Sequence, residues 1–279
     1  MVRSSCLCGA VAWEVEGPVS QMSHCHCGRC RKFHGAGFGT YAMAPAERVR
    51  FGRGRDAAAR YESSPGFSRA FCGRCGGVVP GDPFEGQTFL PCGPMDDDPG
   101  ARPAFHIFAA SKAPWLEIAD GLPRFDAYPP GVEAPVQPDL PRDQEPGIRG
   151  SCLCGAVAYE SAGAPLRAWN CHCSRCRKGR GAAHASNLFG PLGGTRFTRG
   201  EDRLVAYKVP AALRFTQVFC RTCGSPMPRL DPDRDIAVIP MGSLDGDPGV
   251  RPSRHIFTAS KAPWFEIADG LPQDAEYPA

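Results

Sequence analysis

No stretch of about 18 apolar residues runs anywhere in the 279-residue chain, so a membrane-spanning helix is not expected. The first residues, Met1-Val2-Arg3-Ser4-Ser5-Cys6, hold no apolar segment of the signal-peptide kind, and a cytoplasmic location is the expectation. Lys and Arg never gather into a long run, and the formal charge is only +3. Nucleic acid and acidic membrane surfaces are therefore not expected as partners. Room for long helices is also scarce, because 33 Gly and 29 Pro punctuate the chain throughout.

Between these breakers lie short alternating stretches. Ala10–Val15 reads as a strand, and residues 156–160 repeat it; Phe38–Met43, Arg48–Phe51, Phe67–Phe71 and Gln87–Leu90 are further strands. Only the region after Cys30 suits a helical turn. The expected fold is mostly β: two tandem metal-binding domains built of small antiparallel sheets.

What the chain has in abundance is cysteine, written twice in one order. Cys6-x-Cys8, Cys25-x-Cys27-x-x-Cys30 and Cys72-x-x-Cys75 return as Cys152-x-Cys154, Cys171-x-Cys173-x-x-Cys176 and Cys220-x-x-Cys223. The repeat divides the chain into residues 1–130 and 150–279, joined by a Pro-rich linker at 131–149 that reads as extended and semi-rigid. Its length would let the halves dock as an internal pseudo-dimer. Paired cysteines in this order suit metal knuckles better than a disulfide framework. Four thiolates close a tetrahedral zinc site, whereas three leave a position open. Cys6 and Cys8 pair with Cys72 and Cys75, and Cys152 and Cys154 with Cys220 and Cys223, as closed structural sites. The triads Cys25/Cys27/Cys30 and Cys171/Cys173/Cys176 are then the chemically available sites. Two zinc ions per domain, four per chain, are expected.

Several neighbours of these motifs bear on function. His26 and His172 sit inside the triads as conceivable fourth ligands, although a ligand on either side points their rings away. His24 has Asn170 as its counterpart, which weakens it further. Arg29, Arg31 and Lys32 recur as Arg175, Arg177 and Lys178, either lowering thiol pKa values and receiving an anionic small molecule or simply solvating a turn. Cys92, opposite Met241, reads as a small buried hydrophobe.

The runs Cys-Leu-Cys-Gly, Cys-His-Cys-x-x-Cys-Arg-Lys and Phe-Cys-x-x-Cys-Gly resemble the glutathione-dependent formaldehyde-activating enzyme family, which includes centromere protein V. HIFAASKAPWLEIADGLP at 106–123 and HIFTASKAPWFEIADGLP at 255–272 carry the same resemblance, which spans nearly all of both halves. It implies a structural zinc on each four-cysteine set and a catalytic zinc on each triad. The implied activity is a carbon–sulfur lyase reaction joining glutathione, or a similar small thiol, to formaldehyde or a similar aldehyde. The alternatives are a zinc-stabilised binding module and a thiol-based redox or metal sensor without catalysis. Within the signature, Trp115 and Trp264 read as packing residues and His106 and His255 as satisfied core histidines. Lys112 and Lys261 are at most contacts to a ligand carboxylate. Divergence after the triads, His34-Gly35-Ala36-Gly37-Phe38 against Arg180-Gly181-Ala182-Ala183-His184, suggests different substrate preferences in the two halves.

Overall fold

The computed structural model describes residues 1–278, which form small sheets and turns with two helices of seven residues. The first sheet starts from the alternation seen in the sequence: Trp13 and Val15 are buried while Glu14 between them is exposed. Ala12–Val15 pairs antiparallel with Val2–Ser5 on one side and Val49–Arg53 on the other. The turn joining the first two strands is the Cys6–Cys8 knuckle. Ile148–Ser151, Ala158–Ser161 and Thr195–Arg199 repeat this sheet in the second half.

The second sheet positions the triads. Ser20–Cys25 lies between antiparallel Gly39–Pro45 and parallel Phe105–Ile107, the first strand of the HIF signature. Arg167–Cys171 lies likewise between Ala185–Pro191 and His255–Ile256. Each of these central strands ends at the first triad cysteine. The helix expected near Cys30 begins slightly earlier: α1 (Gly28–His34) and α2 (Ser174–Arg180) are capped by Cys27 and Cys173, whose sulfurs accept from the amides of Cys30 and Cys176 at 3.4 Å. Both helices stop at left-handed glycines, Gly35 and Gly181. The last sheet carries Phe67–Cys72 or Thr216–Cys220 and ends at the second knuckle.

The apolar cores do not respect the sequence repeat. Phe33, Phe71, Ala113 and Trp115 pack with Ile148, Val157, Tyr159 and Ile239 of the second half. Ala183, Ala262 and Trp264 pack in turn with Trp13, Met22 and Leu90 of the first. The two tryptophans are packing residues, as the sequence suggested, but each serves the opposite half.

Charges cross in the same reciprocal way. The Lys32 ammonium donates to the Ser151 carbonyl at 2.7 Å and forms an ion pair with Asp245; Lys178 pairs with Asp96 at 2.6 Å and donates to Ser5 Oγ at 2.7 Å. Arg177 donates to the Gly93 carbonyl at 3.1 Å. These bonds remove Lys32 and Lys178 from the anion-receiving role considered for them. Residues 131–149 are extended but not detached. Asp139 accepts from the Gly28 amide at 2.8 Å, the Pro138 carbonyl from Arg29 at 2.6 Å, and Arg142 donates to the Lys112 carbonyl at 2.9 Å.

Candidate metal centres

All fourteen repeated cysteines gather as paired from the sequence. Cys6, Cys8, Cys72 and Cys75 form one group of four and Cys152, Cys154, Cys220 and Cys223 another; Cys25/Cys27/Cys30 and Cys171/Cys173/Cys176 form two groups of three. Sulfur–sulfur separations within the fours include 3.6 Å for Cys6–Cys8, 3.7 Å for Cys8–Cys72 and 3.8 Å for Cys154–Cys220. A tetrahedron with metal–sulfur bonds of about 2.3 Å has edges of roughly 3.8 Å, so these sets fit a four-coordinate zinc. Cys25 and Cys27 stand 3.6 Å apart, which fits the same ion with one corner left over.

At least one thiol in each cluster is drawn toward the thiolate form. A hydrogen bond from Cys75 draws the Cys8 thiol down to about 7, and one from Cys152 draws Cys154 down to about 7. In the triads, Cys25 and Cys27 hold Cys30 well below the ordinary thiol range, and Cys171 foremost holds Cys173 at about 3. Their partners Cys75, Cys223, Cys25 and Cys176 are pushed up in exchange, so the sulfurs of each cluster share protons that a bound metal would displace.

No histidine or carboxylate joins either triad among the described residues. The His26 ring is turned to His106 instead, Nε2 to Nδ1 at 2.8 Å, and His106 Nε2 meets Asp120 at 2.9 Å. The second half repeats the chain as His172–His255–Asp269, at 2.7 and 3.0 Å. With a carboxylate oxygen accepting at Nε2, a neutral His106 ring donates there and its Nδ1 receives the proton of His26 Nε2. The tautomer and ring plane of the residue between two cysteine ligands are thereby set, the orienting role that outer-shell carboxylates play at metal sites. His106 and His255 are buried and satisfied, as expected. Their connection to the triads was not legible, because the partners stand 80 and 83 residues apart. His24 is outside the ligand set, bonded to Thr40 at 2.9 Å; Asn170 and Ser186 keep the same contact at 2.8 Å in the second half.

The remaining candidates have ordinary roles. Lys112 and Lys261 donate to the carbonyls of Leu116 and Phe265, closing the signature loop on itself. Cys92 is fully buried beside the Leu90 carbonyl, and burial pushes its thiol up. Arg69 was not singled out by the sequence. It is buried between Phe33 and Phe67, at 5.3 and 5.5 Å from the ring centres, and its guanidinium donates to Cys30 Sγ at 3.5 Å. The second half has Gln217 there.

Burial of histidine carries a pH cost. It lowers both His34 and His184 to about 3, from an ordinary 6.5. Both rings are thus neutral in the folded protein, while the unfolded chain takes up protons near 6.5. Stability from this source is present above pH 6.5 and is lost as pH falls toward 3, at about 1.4 kcal/mol per pH unit for each ring. His184→Phe, which installs the residue found at Phe38, should lose about 2 kcal/mol less than the parent protein between pH 6.5 and pH 5. Urea unfolding at the two pH values measures it. Acid weakening of the metal sites is common to both proteins and cancels in the comparison.

A family model described as glutathione-dependent formaldehyde-activating enzyme matches residues 1–111 and 147–260. Among solved structures, a crystal structure of a Rhodobacter sphaeroides protein is 28% identical, with 36% of this chain and 89% of that chain covered and a TM-score of 0.30. No curated protein matches the chain. No helix among the described residues is long and apolar enough to cross a membrane.

Proposed function

Because the chain belongs to the glutathione-dependent formaldehyde-activating enzyme family, with its model matched twice in tandem, we propose that it joins a small thiol of the glutathione type to a small aldehyde. The observation that carries this reading is the pairing, in each half, of a closed four-thiol cluster with a three-thiol cluster one ligand short. The fours are the structural sites and the triads the reactive ones, giving four zinc ions per chain. Zinc on a triad would offer its free position to an incoming thiol and lower that thiol's pKa. The chain's own residues do the rest. Cys25, Cys27 and Cys30, with Cys171, Cys173 and Cys176, hold the reacting centre at a strand end. Asp120–His106–His26 and Asp269–His255–His172 orient the ligand loops. The thiol sulfur adds to the carbonyl carbon, and the S–H proton ends on the carbonyl oxygen.

Residues 1–130 and 150–279 serve as the two domains and 131–149 as their connector, docked as an internal pseudo-dimer. The reciprocal Lys32–Asp245 and Lys178–Asp96 pairs support this arrangement. Metal analysis of reductively purified protein, combined with cobalt substitution and glutathione titration, tests the assignment. Four metals, two of whose cobalt spectra respond to glutathione, and accelerated loss of formaldehyde in the same samples are expected. Two metals indifferent to the thiol would overturn it.

A further inference from the structure

The two triads do not face the same surroundings. Beside the first lies a cavity of about 230 Å³ lined by Phe33, Tyr41, Phe67, Phe84 and Phe89 and by Arg69. A dry cavity of about 150 Å³ accommodates benzene, so this one has room for an aromatic ring with a one-carbon substituent. Arg69 is 8% exposed and links the cavity to the metal site, since it lines the first and donates to Cys30 of the second. Of the five donors on a guanidinium, Ser63 Oγ, the Tyr41 hydroxyl and Cys30 Sγ take three, which leaves two.

The second half keeps Phe215 where the first has Phe67 but has replaced much of the rest of this arrangement. Gln217 replaces Arg69 and donates its amide to the Gly179 carbonyl at 3.2 Å. Gly179 replaces Phe33, and a Cβ there would already meet Gln217 Oε1 at 3.1 Å, so Gln217 lies where the Phe33 side chain starts. Asn187 replaces Tyr41, and Met227 and Leu230 replace Val79 and Asp82.

On the thiol–aldehyde reading above, we propose that the first half is specific for an aromatic aldehyde of benzaldehyde size, its ring held in the phenylalanine-walled cavity and its carbonyl oxygen held by Arg69. The bound carbonyl would stand within one guanidinium width of Cys30, next to the thiol delivered at the triad. Glutathione adds across the C=O bond: the C–S bond forms and the S–H bond breaks. The carbonyl π pair becomes an oxygen lone pair, and the thiol proton completes the hydroxyl. No oxidant or reductant enters. Arg69 is a substrate-contacting residue in this assignment, and its remaining N–H groups face the oxygen on which negative charge develops.

Two measurements on the zinc-loaded full chain test it. The first is binding of 4-fluorobenzyl alcohol, an unreactive stand-in for the aldehyde, followed by fluorine NMR. Binding that weakens about 10-fold in both Phe84→Ala and Arg69→Gln is expected, the magnitude of one lost anchor or hydrogen bond. Phe84 is 46% exposed, so its truncation spares the fold, and Gln is what the chain itself carries at 217. The second is the ratio of benzaldehyde to formaldehyde kcat/KM with glutathione, which should fall about 10-fold in Phe84→Ala. Undetectable binding of the alcohol, or binding that ignores both substitutions, would overturn the assignment. Arg69-dependent binding in a protein that consumes no aldehyde would leave the pocket standing and remove the thiol–aldehyde reading instead.

Discussion

Cys75→Ser should abolish folding of the first half, whereas Cys30→Ser should leave the chain folded with one metal fewer. The difference lies in what each cluster connects. The bond network around Cys75 ties Cys8 to Cys72, 64 residues away, and so fastens the N-terminal hairpin to the end of the last sheet. Cys27 and Cys30 are three residues apart and already adjacent through the helix cap. Closing a long loop removes far more unfolded-chain freedom than closing a short one. Structural zinc contributes an apparent 10–16 kcal/mol, about the whole stability of an ordinary domain at 5–15 kcal/mol. The damage should also spread. Phe71, one residue before Cys72, meets Phe219 edge-on at 6.2 Å, and Trp264 packs into the first half's core. Loss of the first closed cluster should therefore lower the thermal transition of the second half as well. Zinc content and the far-ultraviolet thermal melt of both variants measure this. A Cys75→Ser protein that keeps four zincs and the parent Tm would remove the structural role from the cluster.

Much of this was legible in the sequence because the relevant signals are local or repeated. Of the alternating Ala10–Val15 stretch, Ala12–Val15 became a strand because Trp13 and Val15 face a core and Glu14 faces water, while Ala10 and Val11 belong to the preceding bend. The cysteine pairings were readable because two copies of one spacing constrain each other. Their geometry follows from tight turns, such as those closed by Gly76 and Gly224 at φ 70° and 73°. What stayed hidden is what depends on meetings between distant segments. Lys32 looks the same in sequence whether it faces an anion or, as here, Asp245 across 213 residues. His106 looks like a lone core histidine until the parallel pairing of Phe105–Ile107 with the triad strand brings it to His26. Arg69 offered no motif at all. Its role comes from Phe33, Phe67 and Cys30 converging on it from three separate elements, and only the contrast with Gln217 could have drawn attention to it.

The second large effect is expected at two glycines that no motif marks. Gly242→Ala should cost about 3 kcal/mol or more, the upper end of ordinary overpacking, and lower the Tm by roughly 6–12 °C for a chain of this size. A Cβ on Gly242 would stand 2.3 Å from the Ala36 amide nitrogen and 2.4 Å from the Arg31 carbonyl oxygen. Both are backbone atoms at the end of α1, and no side-chain rotation can relieve the clash. Gly93 repeats the contact from the other side, 2.3 Å from the Ala182 nitrogen at the end of α2. Neither glycine needs a left-handed φ, so the penalty measures proximity between the halves and not backbone strain. Gly193→Ala, with nothing within 4 Å, is the control and should shift the Tm little. The double variant is the more searching measurement. If both contacts belong to one interface, the first substitution already separates the halves and the second costs much less than it does alone, as coupled neighbours require. Fully additive losses would mean that the two glycines report on independent local packing and not on one shared interface.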